Sequence, residues 1–368
     1  MLSALSLLLL QVVVILIVAR LFGALMRRIG QPTVIGEIVA GIALGPTLFG
    51  ALAPAASRAI FPPDSFGNLK ALAEIALILF MFQVGLDFDL HHLRGRGRAA
   101  VVISQVSIAI PLLLGVLIAR PIFDAFAAPG SSFIVFALFM GVAMSITAFP
   151  VLARILKERG MTATPLGVMA ITCAAVDDVT AWTLLGVVVI LAHGHATIGV
   201  YAVFAAFATG AVAPKRFFGP RLNRVTQTLL PIFFAFSGLR TQIGLLRDAR
   251  SWMICIVVIV IATVGKLGGG ALAARICGST WREALALGAL MNTRGLMELV
   301  ALNIGYELGI LTPRAFAAMV IMAVTTTVVT APLLTLFSES STRTESPASR
   351  EAAGGDQDLR SRTRASES

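Results

Sequence analysis

Charge is scarce in this chain. Asp, Glu, Lys and Arg together make up 13% of its 368 residues, too little polar surface to keep a domain of that size dissolved. A soluble fold is therefore excluded. Cysteine is scarcer still: Cys173, Cys255 and Cys277 stand alone in or at the end of apolar runs, with neither metal-ligand spacing nor the density of a disulfide framework. The four histidines, His91, His92, His193 and His195, fall in loops and read as solvated residues. No resident metal or cofactor is expected from this set. The first 26 residues also lack a basic leader and a small-residue cleavage site, so they read as a retained membrane span.

Apolar length, by contrast, is abundant. The chain is 57% hydrophobic, with a mean hydropathy of +0.90. The hydrocarbon core of a bilayer is about 30 Å thick and a helix rises about 1.5 Å per residue, so about 20 apolar residues cross it. Eleven candidate spans recur, near 2–26, 33–53, 68–88, 98–120, 131–156, 162–192, 197–214, 225–242, 251–275, 283–309 and 314–337. They are rich in Ala, Leu, Val, Ile and Gly and lack the polar/apolar alternation of a membrane barrel. The expected fold is an all-α polytopic membrane protein. A transmembrane domain is expected over 1–337 and a disordered cytoplasmic tail over 338–368, which is too polar to bury a core.

The formal net charge is +10. The basic residues sit in short loops between spans and do not cluster with stacking aromatics, so lipid is the expected surrounding and nucleic acid is not an expected partner. The odd-numbered loops carry Arg27 and Arg28; Arg94, Arg96 and Arg98; Arg154, Lys157 and Arg159; Lys215, Arg216, Arg221 and Arg224; and Arg275 and Arg282. The even-numbered loops are poorer, apart from the one holding Arg240, Arg247 and Arg250. The positive-inside pattern then puts the N-terminus outside and the tail in the cytoplasm of a bacterial inner membrane.

A weak internal repeat runs through the chain. Phe80–Leu86 parallels Phe233–Leu239 at an offset of 153 residues, and Ile146-Thr147-Ala148 parallels Asn292-Thr293-Arg294 at an offset of 146. The third and eighth spans have opposite order in the membrane, as an inverted repeat requires. Coincidental Phe/Gly composition is the alternative reading.

Asp177 and Asp178 lie midway through the span 162–192. A carboxylate at a helix centre costs about 2.5–3.5 kcal/mol on insertion scales. Neighbours on a helix point about 100° apart, so the two face different surroundings. Lys266, central in the span 251–275, is the natural partner for one of them and is too far from either end to snorkel. The pair is either a fixed stabilising contact or one that breaks when a proton or cation arrives. Ser145, Thr147 and Pro150 in one span, and Asn292-Thr293-Arg294-Gly295 with Glu298 in another, favour broken helices whose freed backbone groups line a cavity or lie buried in protein. A simple kink accounts equally for Pro150, though not for the polar run. Arg294 and Glu298 are four apart, placed to pair on one face or to compensate half-helix dipoles. Glu37, near a span entrance, reads as interfacial, as do Asp87 and Asp89; Glu74 is open.

These residues resemble the cation:proton antiporter family that holds the Kef-type potassium systems and the plant CHX-type exchangers. The matching segments are Gln31–Glu37 with Gly41 and Leu44-Gly45-Pro46, Ser145–Arg154, Ala174–Trp182, Phe233–Thr241, Gly265-Lys266 and Met291–Leu299. The resemblance implies a homodimer, each protomer with a rigid dimerisation domain and a moving core built on two crossed, broken helices. It implies exchange of protons for sodium or potassium by alternating access. It implies Asp178 as the central cation and proton carboxylate, Asp177 as the neighbour paired with Lys266, Thr147 at one helix break, and Asn292 and Thr293 at the other. The family has about two more spans between the aspartate and lysine helices, including an interdomain linker. That shortening supports a rival reading, a non-transporting or regulatory remnant. A sodium-coupled solute symporter is a second rival, and would not need Lys266. An intramembrane aspartyl protease is disfavoured, since its two carboxylates must face one water from separate helices.

Overall fold

The computed structural model describes residues 3–87, 97–192, 198–213 and 215–338. The loop histidines, Asp89 and the tail expected to be disordered lie outside the described residues. Within them the protein is all helix, apart from one isolated bridge between Ala127 and Leu311. The first half contains α1 (Ala4–Arg28), α2 (Thr33–Leu44), two short helices α3 (Phe49–Leu52) and α4 (Pro54–Ile60), and α5 (Phe66–Asp87). It continues with α6 (Gly97–Phe126), the half-helices α7 (Phe133–Ser145) and α8 (Phe149–Glu158), and α9 (Pro165–Leu191). The second half contains α10 (Ile198–Val212), α11 (Lys215–Leu239), α12 (Ala249–Ile276), the half-helices α13 (Trp281–Met291) and α14 (Leu296–Glu307), and α15 (Pro313–Ser338).

Among the described residues, nine helical segments are long and apolar enough to cross a membrane. Two of the eleven expected spans fall short of that length. The one expected at 197–214 forms α10, only 15 residues long. The one expected at 283–309 is divided into α13 and α14.

Helix ends form where the sequence supplies caps. Thr164 accepts from the Gly167 amide at 3.0 Å, Asp248 from the Ser251 amide at 3.0 Å, and Thr280 and Glu283 close a capping box at the start of α13. The Ser251 hydroxyl, at 2.7 Å, and its amide hold the Asp248 carboxyl below its usual range. Side-chain patterning then sets which face packs. On α1, Leu5, Leu9, Val13, Ile17, Leu21 and Leu25 are exposed at intervals of four, while Gln11, Ile15, Ala19 and Gly23 are buried. An apolar stripe left outside is what a helix presents to lipid.

The packing repeats. α2 lies against α11, and α10 lies against α5. Both contacts depend on a missing Cβ: one at Gly41 would overlap the Ala235 backbone, and one at Gly210 would overlap the Phe82 backbone. Ala235 and Phe82 are 153 positions apart, the offset of the Phe-rich repeat. The repeat unit is therefore α2, α5, α6, α7/α8, α9 in the first half and α10, α11, α12, α13/α14, α15 in the second. Five segments to a unit is the odd number that an inverted repeat requires. α1 has no counterpart among the described residues. α6 and α12 meet at the centre, where Gly265 sits against Pro111 and Gly269 against Ile110.

Candidate functional site

Both expected helix breaks are present, and they meet. α7 ends at Ser145 and α8 begins at Phe149, and between them Ile146 and Ala148 are extended or nearly so. Pro150 occupies the first turn of α8, where its missing N–H is harmless. The chain is thus fully interrupted there and not merely kinked. α13 ends at Met291 and α14 begins after Gly295, whose φ of 148° only glycine adopts readily. The Ala148 amide donates to Thr293 O at 2.9 Å, joining the two breaks through their backbones. Thr327 of α15 supports the second break from both sides: it accepts from the Arg294 amide at 3.0 Å and donates toward Arg294 O at 2.8 Å.

Half-helix ends expose carbonyls that need cations. The C-terminal end of α7 receives two. Arg294 donates to Ala143 O at 2.9 Å and to Met144 O, and Lys266 donates to Ser145 O at 2.5 Å. Arg294 also pairs with Glu298 at 3.1 Å, and both side chains are fully buried. Glu298 stands in the first turn of α14, where its charge suits the helix dipole. The two roles the spacing left open for Arg294 and Glu298, pairing and dipole compensation, are therefore filled together.

The expected lysine pair is also formed, with one aspartate only. Lys266 Nζ lies 2.7 Å from Asp177 Oδ2. Thr147 Oγ1 lies 2.6 Å from the same oxygen and 3.0 Å from Met291 O, so its single proton joins Asp177 to the end of α13 by turns. Ser104 donates to Asp177 Oδ1, and Ser107 stands 3.5 Å from Lys266. Asp177 thus has three donors on two oxygens. Asp178, only 3% exposed, has an Oδ1 without a hydrogen-bond partner. Asn292 has neither its amide nitrogen nor its oxygen satisfied, and Thr293 Oγ1 is also unpartnered, all fully buried. Buried polar atoms left unpaired cost free energy unless a water or an ion meets them.

Ser104 and Ser107 carry no signal stronger than two hydroxyls three apart in an apolar run, and sequence reading passes over them. Ser145 enters through its backbone oxygen, not its side chain, whose hydroxyl turns back to Val142 O at 2.8 Å. Glu37, read as interfacial from the sequence, stands in the second turn of α2. It lines a cavity of about 850 Å³ with Thr33, Gln83, Arg154, Lys157 and Gln227. On the opposite ends of α5 and α11 a second cavity, of about 30 Å³, is lined by Lys70, Glu74, Arg240, Asn303 and Glu307. There Glu307 Oε1 lies 3.0 Å from Lys70 and 3.6 Å from Arg240. Glu74, left open by the sequence, pairs with Lys70 at 3.4 Å. Arg240, one of the three arginines in the loop that departs from the charge pattern, is thereby taken up within the protein.

Comparison with known proteins agrees with this architecture. Residues 13–214 and 195–337 match the family described as sodium/hydrogen exchanger, transmembrane. The chain is 40% identical to the Na(+)/H(+) antiporter NhaS4 of Synechocystis sp., over 90% of its own length and 97% of that protein. It is 35% identical to cation/H(+) antiporter 19 of Arabidopsis thaliana and 30% identical to K(+)/H(+) antiporter 1 of Saccharomyces cerevisiae, covering 91% and 93% of this chain. It spans 50% and 47% of those two longer proteins. The sodium proton antiporter MjNhaP1 from Methanocaldococcus jannaschii shares the fold, with a TM-score of 0.58 at 13% identity over 90% of this chain and 97% of that one. The alignment to NhaS4 runs 398 positions and uses 90% of 368 residues, about 331, so about 67 of its positions have no counterpart here. The two family matches overlap at 195–214, across α10, and only residues 192–197 separate α10 from the end of the aspartate helix. With 13–337 covered by the family's pattern, the chain belongs to the sodium/hydrogen exchanger transmembrane family.

Proposed function

We propose that this chain exchanges protons for a monovalent cation, sodium or potassium, across a membrane by alternating access, with Asp178 as the carboxylate that both substrates occupy in turn. The observation that carries this reading is the pair of adjacent aspartates with opposite fates. Asp177 is held by Lys266, Thr147 and Ser104. Asp178, equally buried, keeps a carboxylate oxygen with no partner. The relatives named as Na(+)/H(+) and K(+)/H(+) antiporters support both candidate cations.

The chemistry follows from the cost of a bare charge in a low-dielectric interior. An occupied Asp178, by proton or by cation, is close to neutral and moves through the barrier. An empty one is expensive to move, which suppresses leak. Asn292 and Thr293 supply neutral oxygens, and the dipole end of α13 faces a hydroxyl, Thr147, where the end of α7 faces two cations. A cation is therefore best accommodated on the α13 side. Lys266 holds Asp177 and the α7 end in place, and Arg294 with Glu298 compensates the crossing.

The same reading takes all eleven segments as crossings, with the N-terminus outside, the tail in the cytoplasm and a homodimer as the working unit. It takes the larger cavity as the cytoplasmic entrance, since it lies at the ends of α5, α8 and α11 that adjoin the basic loops. The shortened middle favours the rival reading of a non-transporting remnant, but both repeat units around the site are intact.

The test is proton flux in proteoliposomes on adding sodium and then potassium, for the wild type and Asp178→Asn. Cation-triggered flux that disappears in the variant, by at least about a hundredfold, is the expected result and names the ion. Competition also requires the half-maximal cation concentration to rise by up to about tenfold for each unit the pH falls. A folded wild-type protein that moves no protons in response to either cation leaves the remnant reading in its place.

A further inference from the structure

The two cavities are related by the internal repeat. Lys70, Ala73, Glu74 and Leu77 of α5 line the small one, and adding 153 gives Asn223, Thr226, Gln227 and Leu230 of α11, the last three of which line the large one. In the other direction, Phe80 and Gln83 line the large cavity, and their equivalents Phe233 and Phe236 line the small one. Val34 of α2 and Val203 of α10 correspond in the same way, at the 169-residue offset that relates Gly41 to Gly210. These are two copies of one vestibule. One has about 850 Å³ and the other about 30 Å³.

We infer that Glu307, gripped by Lys70 and Arg240, is the clasp that holds the small vestibule shut, and that breaking it exposes the transport site to that side of the membrane. The clasp joins the two kinds of element that alternating access must move apart. Glu307 is the last residue of α14, a half-helix of the crossing. Lys70 and Arg240 stand on α5 and just beyond α11, the helices that pack against α10 and α2. Arg240 is itself positioned: its guanidinium lies 4.7 Å from the Tyr306 ring centroid and 5.4 Å from that of Phe236, and it donates to Asn303 Oδ1 at 3.2 Å. Asn303 in turn donates to Ser237 of α11 at 2.9 Å.

Among the described residues the equivalent carboxylate of the large vestibule is engaged differently. Glu158 ends α8 as Glu307 ends α14, but it pairs with Arg154 of its own helix at 2.9 Å. The positions equivalent to Lys70 and Arg240 are Asn223 and Asp87, neither a cation; Arg224, one position on, is turned about 100° round the helix. The protein is therefore biased toward the state with the small vestibule closed.

The proposal rests on the alternating-access reading, and its test does not need transport. In a Cys277→Ser background, which removes the exposed native thiol and leaves the buried Cys173 and Cys255, Ala73→Cys reports on the small vestibule and Thr226→Cys on the large one. A membrane-impermeant maleimide is applied from each face of oriented vesicles, with and without Glu307→Gln. The expected result is roughly tenfold faster labelling at Ala73→Cys and slower labelling at Thr226→Cys in the Glu307→Gln protein, as two coupled, partly buried ion pairs are lost. Unchanged labelling at Ala73→Cys overturns the proposal. So does faster labelling at both positions, which reports a loosened fold and not a switch. The reciprocal shift in a protein that moves no protons would refute exchange and leave the clasp standing.

Discussion

The two broken helices use one backbone solution and opposite chemistry. In the first, three residues separate α7 from α8; in the second, four separate α13 from α14. The C-terminal end of α7 is met by a guanidinium and an ammonium, both brought from the other repeat. The C-terminal end of α13 is met by a hydroxyl from the first repeat, beside an asparagine and a threonine with unsatisfied polar atoms. Full positive charges meet the carbonyl end of the first break, and none is hydrogen-bonded to the carbonyl end of the second among the described residues. A symmetric crossing would hold its substrate equally on either side. An asymmetric one has a filled half that supports the structure and an unfilled half that receives an ion. Substitutions on the two halves should therefore separate stability from exchange.

The largest effect on stability is expected at Arg294. Its removal leaves Glu298 buried without a partner and frees two carbonyls, and breaking such a pair costs about 3–5 kcal/mol. Arg294→Ala should lower the unfolding midpoint in detergent far more than any change at the second break. Arg294→Met with Glu298→Gln should recover roughly half of that loss, because the uncompensated charge is gone. If Arg294→Ala unfolds no more easily than the double variant, the guanidinium is not what completes the α7 end.

Lys266→Ala comes next, at about 2–4 kcal/mol. Asp177 is still held there by Ser104 and Thr147, so it is less exposed to the loss than Glu298 is. Adding Asp177→Asn should restore stability but not exchange, measured as cation-triggered proton flux. Restoration of both would make the pair a structural brace only.

Much of this comparison is legible in the chain, and the limits are instructive. Asp177, Asp178, Lys266, Arg294 and Glu298 stand out because charge is costly in apolar spans, whatever the fold. Their assignments do not follow from spacing. Adjacent aspartates look alike until the helix is rotated into place; only then does Asp177 meet three donors and Asp178 meet none at Oδ1. Proline is a poor guide by itself. Pro150 marks a break, whereas Pro111, Pro121 and Pro332 lie inside continuous helices. Gln31 donates to Val328 O, the carbonyl four before Pro332, and such rescue is a property of packing. Ser104, Ser107 and Thr327 were illegible for the same reason, being ordinary hydroxyls until an ion pair or a helix break is brought against them. Glu307 ends a half-helix, where a carboxylate is unremarkable until Lys70 and Arg240 close on it.

A smaller effect is expected at Thr147, which joins the two halves. Thr147→Val keeps the shape and removes the hydroxyl shared between Asp177 Oδ2 and Met291 O, a loss of about 1–2 kcal/mol. Thr147→Ser should retain both stability and exchange. Equal behaviour of the two variants would mean that shape alone, and not the hydroxyl, links the breaks.

The smallest effect on stability is expected at Asn292, and there the two halves are distinguished most sharply. Its side chain is fully buried and neither polar atom has a partner. Replacing an unsatisfied buried amide with a methyl removes a desolvation cost instead of an interaction, so Asn292→Ala should leave the unfolding midpoint unchanged or raise it by up to about 1 kcal/mol. If the second break receives the cation, the same change removes an oxygen ligand, and the half-maximal cation concentration for proton flux should rise by roughly tenfold, the worth of one hydrogen bond to a charged group. Such a site would be unstable when empty because its groups await an ion. A variant that loses stability and keeps its cation dependence would assign Asn292 to the scaffold.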